Sequence, residues 1–176
     1  MIGVAGLGYW GPNLARNFAE LGTLSWLCDL DPALRETFAA RYPGATVTNS
    51  FEKLLASDVQ GVVIATPVPT HYALAKQALE AGKHVLVEKP PAMRAVEIDE
   101  LVAIAEARDT VLMPGPLLLY HPAVVKLHEL HAAGEPGALR CGSGDRKPPG
   151  PRRPAATAPS ALSGHRSAGS PPPSPP

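Results

Sequence analysis

The chain has 176 residues, 45% of them hydrophobic, with 16 Lys and Arg against 16 Asp and Glu. That length suits one domain of roughly 100–200 residues with part of a second, and the even charge offers no basic patch to hold nucleic acid or an anionic membrane surface. Cys28 and Cys141 lie far apart, which argues against a disulfide framework and fits a reducing, cytoplasmic setting, while Met1 leads straight into an apolar strand, so neither a secretory signal nor a membrane span is expected.

In chain order, "IGVAG" (2–6) reads as a buried strand that ends in glycines. "PNLARNFAELG" (12–22) follows as a helix with Leu14, Phe18 and Leu21 at helical spacing and Gly22 as its C′ residue. "LSWLCDL" (24–30) is the second strand, and Asp31-Pro32 starts a helix to about Arg41, an N-cap followed by proline at the first helical position. "ATVT" (45–48) is a third, short strand; a short helix follows Ser50, and "GVVIAT" (61–66) is a continuous apolar strand. Thr70 opens a helix through Leu79 to Gly82, and "HVLVE" is strand five. "AVEIDELVAIAEA" (95–107) is a helix with Ile98, Leu101, Val102 and Ala105 inward, and "TVLMPG" is strand six. Strands apolar on both faces that alternate with helices specify a doubly wound α/β domain with a parallel sheet. A helix from about His121 to Ala133 and a strand-like "ALRCG" then begin a second unit that the sequence leaves incomplete.

The last 29 residues, from Pro148 to Pro176, hold ten of the chain's 21 prolines and one large aliphatic side chain, Leu162. Ordering backbone costs ~1–2 kcal/mol per residue, and this stretch has almost nothing apolar to bury in return, so it reads as disordered.

The chemistry gathers at the strand ends. Gly6-Leu7-Gly8-Tyr9-Trp10-Gly11 is a Gly-x-Gly-x-x-Gly turn between the first strand and first helix. Gly6 permits the tight turn, Gly8 lets a pyrophosphate reach the backbone, and Gly11 lets helix and strand pack closely, with the helix N–H groups facing the phosphates. Asp29 follows 23 residues after Gly6. At the tip of strand two its carboxylate suits the two ribose hydroxyls of the adenosine and repels a 2′-phosphate, which favours NAD over NADP. Asp31 competes for this role but is better read as the N-cap. Thr66, Pro67, Thr70 and His71 lie on the same cofactor side, His71 as either a structural helix-start residue or a functional one. His128 and His131 share a helix face without a carboxylate or cysteine nearby, so no metal site is expected. Strand five closes on Glu88 and Lys89, which emerge beside the nicotinamide half, with Pro90 and Pro91 fixing the backbone direction. Lys89 there can move a substrate hydroxyl's proton; the plainer alternative is a lysine exposed at a strand end.

"GLGYWG", "CDLDP", "ATPVPTHYALAKQALEAGKHVLVEKP" and "LMPGPLLLYHPAV" resemble the N-terminal half of the glucose–fructose oxidoreductase / inositol dehydrogenase (Gfo/Idh/MocA) family, over residues 1 to about 147. Glu88-Lys89-Pro90 with "AGKHV" before it is the specific part. The resemblance implies an NAD(P)-dependent oxidoreductase acting on a sugar, cyclitol or nucleotide sugar, with Lys89 at the catalytic lysine position and homo-oligomers for the full-length family. It divides the chain into a cofactor domain (1–118), a helix and first strand of a substrate domain (119–147) and the tail (148–176). Gly115-Pro116 stands where the family pattern implies glycine then histidine, and no Asp-x-x-x-His arrangement of the family's second domain follows Lys147. The expectation from this break is a reading frame lost near residue 147 and a chain that binds cofactor without turning over substrate. A non-catalytic dinucleotide-binding sensor or scaffold module is the alternative.

Overall fold

Alternation within the strands builds the two faces of the sheet. In the computed structural model, which describes residues 1–115 and 117–135, β1 (Ile2–Ala5) sends Val4 to one face and Ala5 to the other, and β4 (Gly61–Ile64) splits Val63 from Val62 and Ile64 in the same way. One core therefore joins Val4, Leu7, Ala15, Leu27, Phe38 and Val63 beneath helices α1 (Gly11–Glu20) and α2 (Pro32–Arg41). The other joins Leu54, Ile64, Leu79, Val85, Val87 and Leu101 beneath α3 (Phe51–Leu55), α4 (His71–Glu80) and α5 (Ala95–Ala107). Each such side chain contributes roughly 1.5–3 kcal/mol when fully buried, so a sheet covered on both faces is what these sequences can stabilise.

The six strands are all parallel, in the order β3-β2-β1-β4-β5-β6, with β2 at Leu24–Cys28, β3 at Thr46–Thr48, β5 at His84–Val87 and β6 at Leu112–Pro114. The doubly wound α/β expectation is met. The chain leaves β1 in one direction, returns after β3, and continues from β4 in the other. The loops after β1 and β4 therefore diverge, and a crevice opens beyond the carboxyl ends of these two strands.

Local signals work as the sequence indicates at most element ends. Asp31 caps α2 by accepting from the Ala33 N–H at 2.8 Å, with Pro32 in the first turn. Ser50 caps α3 through the Lys53 N–H, and Gly22 takes φ +69° just past α1. Leu21, 70% exposed, is the C-cap of α1, as Gly22 at C′ requires. One inward expectation is corrected. Val102 is 42% exposed, and Ile104 packs beside Leu101 and Ala105 instead, because the buried seam of α5 runs on the other side of Leu101.

After β6 a 3-10 turn (Leu117–Tyr120) leads into α6 (Pro122–Ala132), which buries none of its residues and leaves Val125 and Leu127 exposed. The strand-like "ALRCG" and the Pro-rich tail fall outside the described residues.

Candidate functional site

A cleft of about 700 Å³ lies beyond β1, β2 and β4, within the range typical of small-molecule and cofactor sites. Gly6, Gly8, Tyr9, Asp29, Thr66, Pro67 and Thr70 line it. Asp31, the rival to Asp29 in the sequence, lines it too, and Ala5, Cys28, Leu30, Leu34, Asn49, Phe51, Ala65 and Leu74, which carry no site signal in the sequence reading, complete the lining. Asn49 follows β3, so the strand-end rule that flagged Thr66 would have flagged it too.

The glycine turn is closed by main chain. Gly6 has φ +89°, and a Cβ there would lie 2.6 Å from the Ala65 carbonyl carbon and the Thr66 nitrogen. A Cβ on Gly11 would lie 1.9 Å from the Gly6 carbonyl oxygen, so α1 can start this close to β1 only with glycine. Gly8 is the opposite case: nothing lies within 4 Å of its Cβ position, and it is exposed to the cleft. α1 begins without a side-chain cap and without an acidic residue in its first turn. Pro12 has no N–H and the Asn13 N–H donates to the Trp10 carbonyl at 3.0 Å, so the Gly11 N–H and the positive dipole end are left for an anion. Tyr9, 97% exposed, lies over the turn, and half-buried Trp10 is its aromatic neighbour with ring centroids 6.4 Å apart. These features fit a dinucleotide pyrophosphate.

Asp29 is fixed against this turn. Its Oδ2 accepts from the Leu7 N–H at 2.6 Å and its Oδ1 from the Asp31 N–H at 2.8 Å. A carboxylate has about four acceptor positions, so two are left for hydroxyl donors. Arg35 Nη1 donates to the carbonyls of Asp29 (3.0 Å) and Leu30 (2.7 Å) and steadies the same corner. Cys28 forms the wall beside it; burial, reinforced by the Asp29 carboxylate, pushes its thiol up to about 11, so it is neutral and inert at ordinary pH.

On the β4 side, Thr70 Oγ1 donates to the Pro67 carbonyl at 2.7 Å, so the 2.7 Å contact between the two hydroxyls is a donation from Thr66 to Thr70. His71 is 1% exposed and lies behind the lining. Its Nε2 is 2.7 Å from the Thr66 carbonyl oxygen and its Nδ1 is 2.8 Å from that of Pro90. Glu88 is half-buried and directed at Gly115, where a Cβ would come within 3.3 Å of Oε1. Its Oε2 accepts from the Lys89 N–H at 3.3 Å. Lys89 is exposed, forms no ion pair among the described residues, and precedes a cis bond to Pro90. Trp10, His71, Glu88 and Lys89 thus border the cleft's loops without lining this part of it. Among the described residues no group of His, Cys, Asp and Glu is arranged to hold a metal, and no helix is long and apolar enough to cross a membrane.

A parallel sheet of this order, with an uncapped glycine turn and an acid pinned at the tip of β2, defines a dinucleotide-binding Rossmann domain. Residues 1–116 match the model of the Gfo/Idh/MocA oxidoreductase family, NAD-binding Rossmann fold, and the chain belongs to that family. It is 35% identical over 127 residues to the UDP-N-acetylglucosamine 3-dehydrogenase of Acidithiobacillus ferrooxidans, covering 72% of this chain and 40% of that protein. It is 36% identical to the dTDP-3,4-didehydro-2,6-dideoxy-alpha-D-glucose 3-reductase of Saccharopolyspora spinosa, over 62% of this chain and 33% of that one. The crystal structure of GenD2 from gentamicin A biosynthesis in complex with NAD superposes with a TM-score of 0.72 at 37% identity, over 76% of this chain and 39% of GenD2. The chain spans less than half the length of these relatives. It carries an NAD-binding oxidoreductase domain.

Proposed function

We propose that residues 1–118 are the cofactor-binding half of a dehydrogenase for a sugar, cyclitol or nucleotide sugar. This chain binds NAD in preference to NADP and does not by itself turn over substrate. The observation that carries the preference is the Asp29 carboxylate, held at the cleft by the Leu7 and Asp31 N–H groups with acceptor positions to spare. Two ribose hydroxyls would donate to it, whereas a 2′-phosphate would meet its charge. The glycine turn and the start of α1 would hold the pyrophosphate, and Thr66, Pro67 and Thr70 would border the nicotinamide half, with Glu88 bracing the loop that carries Lys89. NAD, when bound, supplies the hydride acceptor. Lys89 is the acid–base group for the substrate hydroxyl, a contribution typically of ~10²–10⁴-fold. Orienting the substrate can account for ~7–11 kcal/mol of such a barrier, and the surface for it belongs to a second domain of the kind that the longer relatives have room for. Names of two relatives, acting on UDP- and dTDP-linked sugars, favour a nucleotide sugar.

Calorimetric titration of the purified chain with NAD and with NADP tests this. NAD binds more tightly, and Asp29→Ser narrows or reverses the preference. Equal affinities in the unsubstituted chain would show that Asp29 does not read the ribose. Robust NADH formation from a panel of polyols, sugars and nucleotide sugars, abolished by Lys89→Ala, would show that the chain carries its own substrate site.

A further inference from the structure

His71 is the one buried polar side chain among the described residues, and no part of the cofactor reading above uses it. Its ring spans two loops that the sheet brings together. β4 and β5 are neighbours, paired from Gly61↔His84 to Ile64↔Val87, so the chain emerging after each strand ends up on the same side of the sheet. Thr66 belongs to the first loop and borders the cleft; Pro90 belongs to the second and directly follows Lys89. The imidazole lies between them, with Nε2 2.7 Å from the Thr66 oxygen and Nδ1 2.8 Å from the Pro90 oxygen. Both partners are carbonyl acceptors, so a ring N–H on either nitrogen donates to the oxygen it faces, the tautomer deciding which. The ring, at 1% exposure, has no solvent to replace either contact. No other side chain is bonded to the Pro90 carbonyl among the described residues.

We propose that His71 is a positioning residue: it ties the Lys89-Pro90 turn to the cofactor loop at Thr66 and so fixes where Lys89 stands relative to the nicotinamide end of the cleft. This rests on the reading of Lys89 as the acid–base group. The Pro90 contact does the positioning of Lys89, and the Thr66 contact anchors the ring to the cleft. The two contacts can be separated by substitution. The amide of Asn lies where Nδ1 lies, so His71→Asn keeps the Pro90 side; the longer Gln reaches the Nε2 position, so His71→Gln keeps the Thr66 side and releases Pro90.

The experiment labels the lysines of the whole chain by reductive ¹³C-methylation, assigns Lys89 by its loss in Lys89→Arg, and follows that resonance as NAD is added. Thermal melting and NAD affinity are measured on each variant in parallel. In the unsubstituted chain NAD shifts the Lys89 signal. His71→Asn retains that shift, and His71→Gln loses it while still binding NAD. If Gln destabilises the fold, retention of the shift by the folded Asn variant still supports the bridge to Pro90. A shift that survives in both variants overturns the proposal, as does its loss in Asn. A Lys89 signal that ignores NAD in the unsubstituted chain overturns the reading of Lys89 itself, and the proposal with it, which separates the two failures.

Discussion

At the β1–β2 end of the cleft the shape is made by main-chain atoms that approach one another too closely for any side chain, whereas at the β4–β5 end it is made by side chains laid across two loops. Gly6 packs against the Ala65–Thr66 backbone and Gly11 against Gly6, and the side chain beside them, Asp29, is pinned by the Leu7 and Asp31 N–H groups. At the other end Thr66, Thr70 and His71 bridge by hydroxyl and imidazole, and Lys89 is exposed beyond them. The first construction suits a group of fixed shape such as a pyrophosphate and has no slack. The second can be altered one side chain at a time.

The largest expected effect comes from adding one methyl to the first end. Gly11→Ala places a Cβ 1.9 Å from a main-chain oxygen that cannot turn aside. Either α1 moves off β1 or the turn opens, and overpacking of this kind costs roughly 3 kcal/mol or more. Urea denaturation checks the loss of stability, and NAD titration should find no binding in whatever remains folded. A Gly11→Ala variant with the parent's midpoint would erase the contrast between the two ends.

A smaller, pH-dependent effect belongs to the wall of the first end, at Cys28 beside Asp29. The buried Cys28 thiol has its pKa raised from 9.0 to about 11, chiefly by desolvation and then by Asp29. The folded state therefore holds this proton where the unfolded chain has released it. Its contribution to stability is fully present below pH 9.0 and is lost as pH rises through about 11. The urea midpoint should fall more steeply over that window in the parent than in Cys28→Ala, since the other titrating groups are common to both. Parallel profiles would show that the thiol titrates alike folded and unfolded.

How far each end was readable from sequence follows from how its contacts are made. The glycine turn is legible because its three glycines fall within six residues, Gly6 to Gly11, although the backbone that Gly6 meets is the distant Ala65–Thr66, and Asp31-Pro32 is legible because a helix cap is local. The bounds of α5, Ala95–Ala107, follow from its periodicity, although Val102 was placed on the wrong side of the seam. Spacing alone fixes which residues share a stripe, not which edge of the stripe meets the sheet. The sequence around His71 does not decide between a structural and a functional part. Its partner Pro90 is 19 residues away and reaches it only because β5 pairs beside β4. Asn49, Leu30 and Leu74 reach the cleft in the same non-local way.

The smallest expected effect is at Lys89, and it is small for a reason that sharpens the comparison. Lys89 is exposed, has no ion pair among the described residues and does not line the cleft beyond β1, β2 and β4. Its main-chain N–H, which bonds Glu88, and the carbonyl of the following Pro90, which bonds His71, are both kept when the side chain is cut back. Surface substitutions that remove no buried contact stay within about 0.5 kcal/mol. Lys89→Ala should therefore melt with the parent and bind NAD as the parent does, although it removes the group assigned to the chemistry. Unchanged melting and unchanged NAD affinity in Lys89→Ala would leave the proposed proton transfer as the part of the reading that this substitution removes. A Lys89→Ala chain that loses stability or NAD affinity as Gly11→Ala does would place Lys89 with the fixed end of the cleft instead.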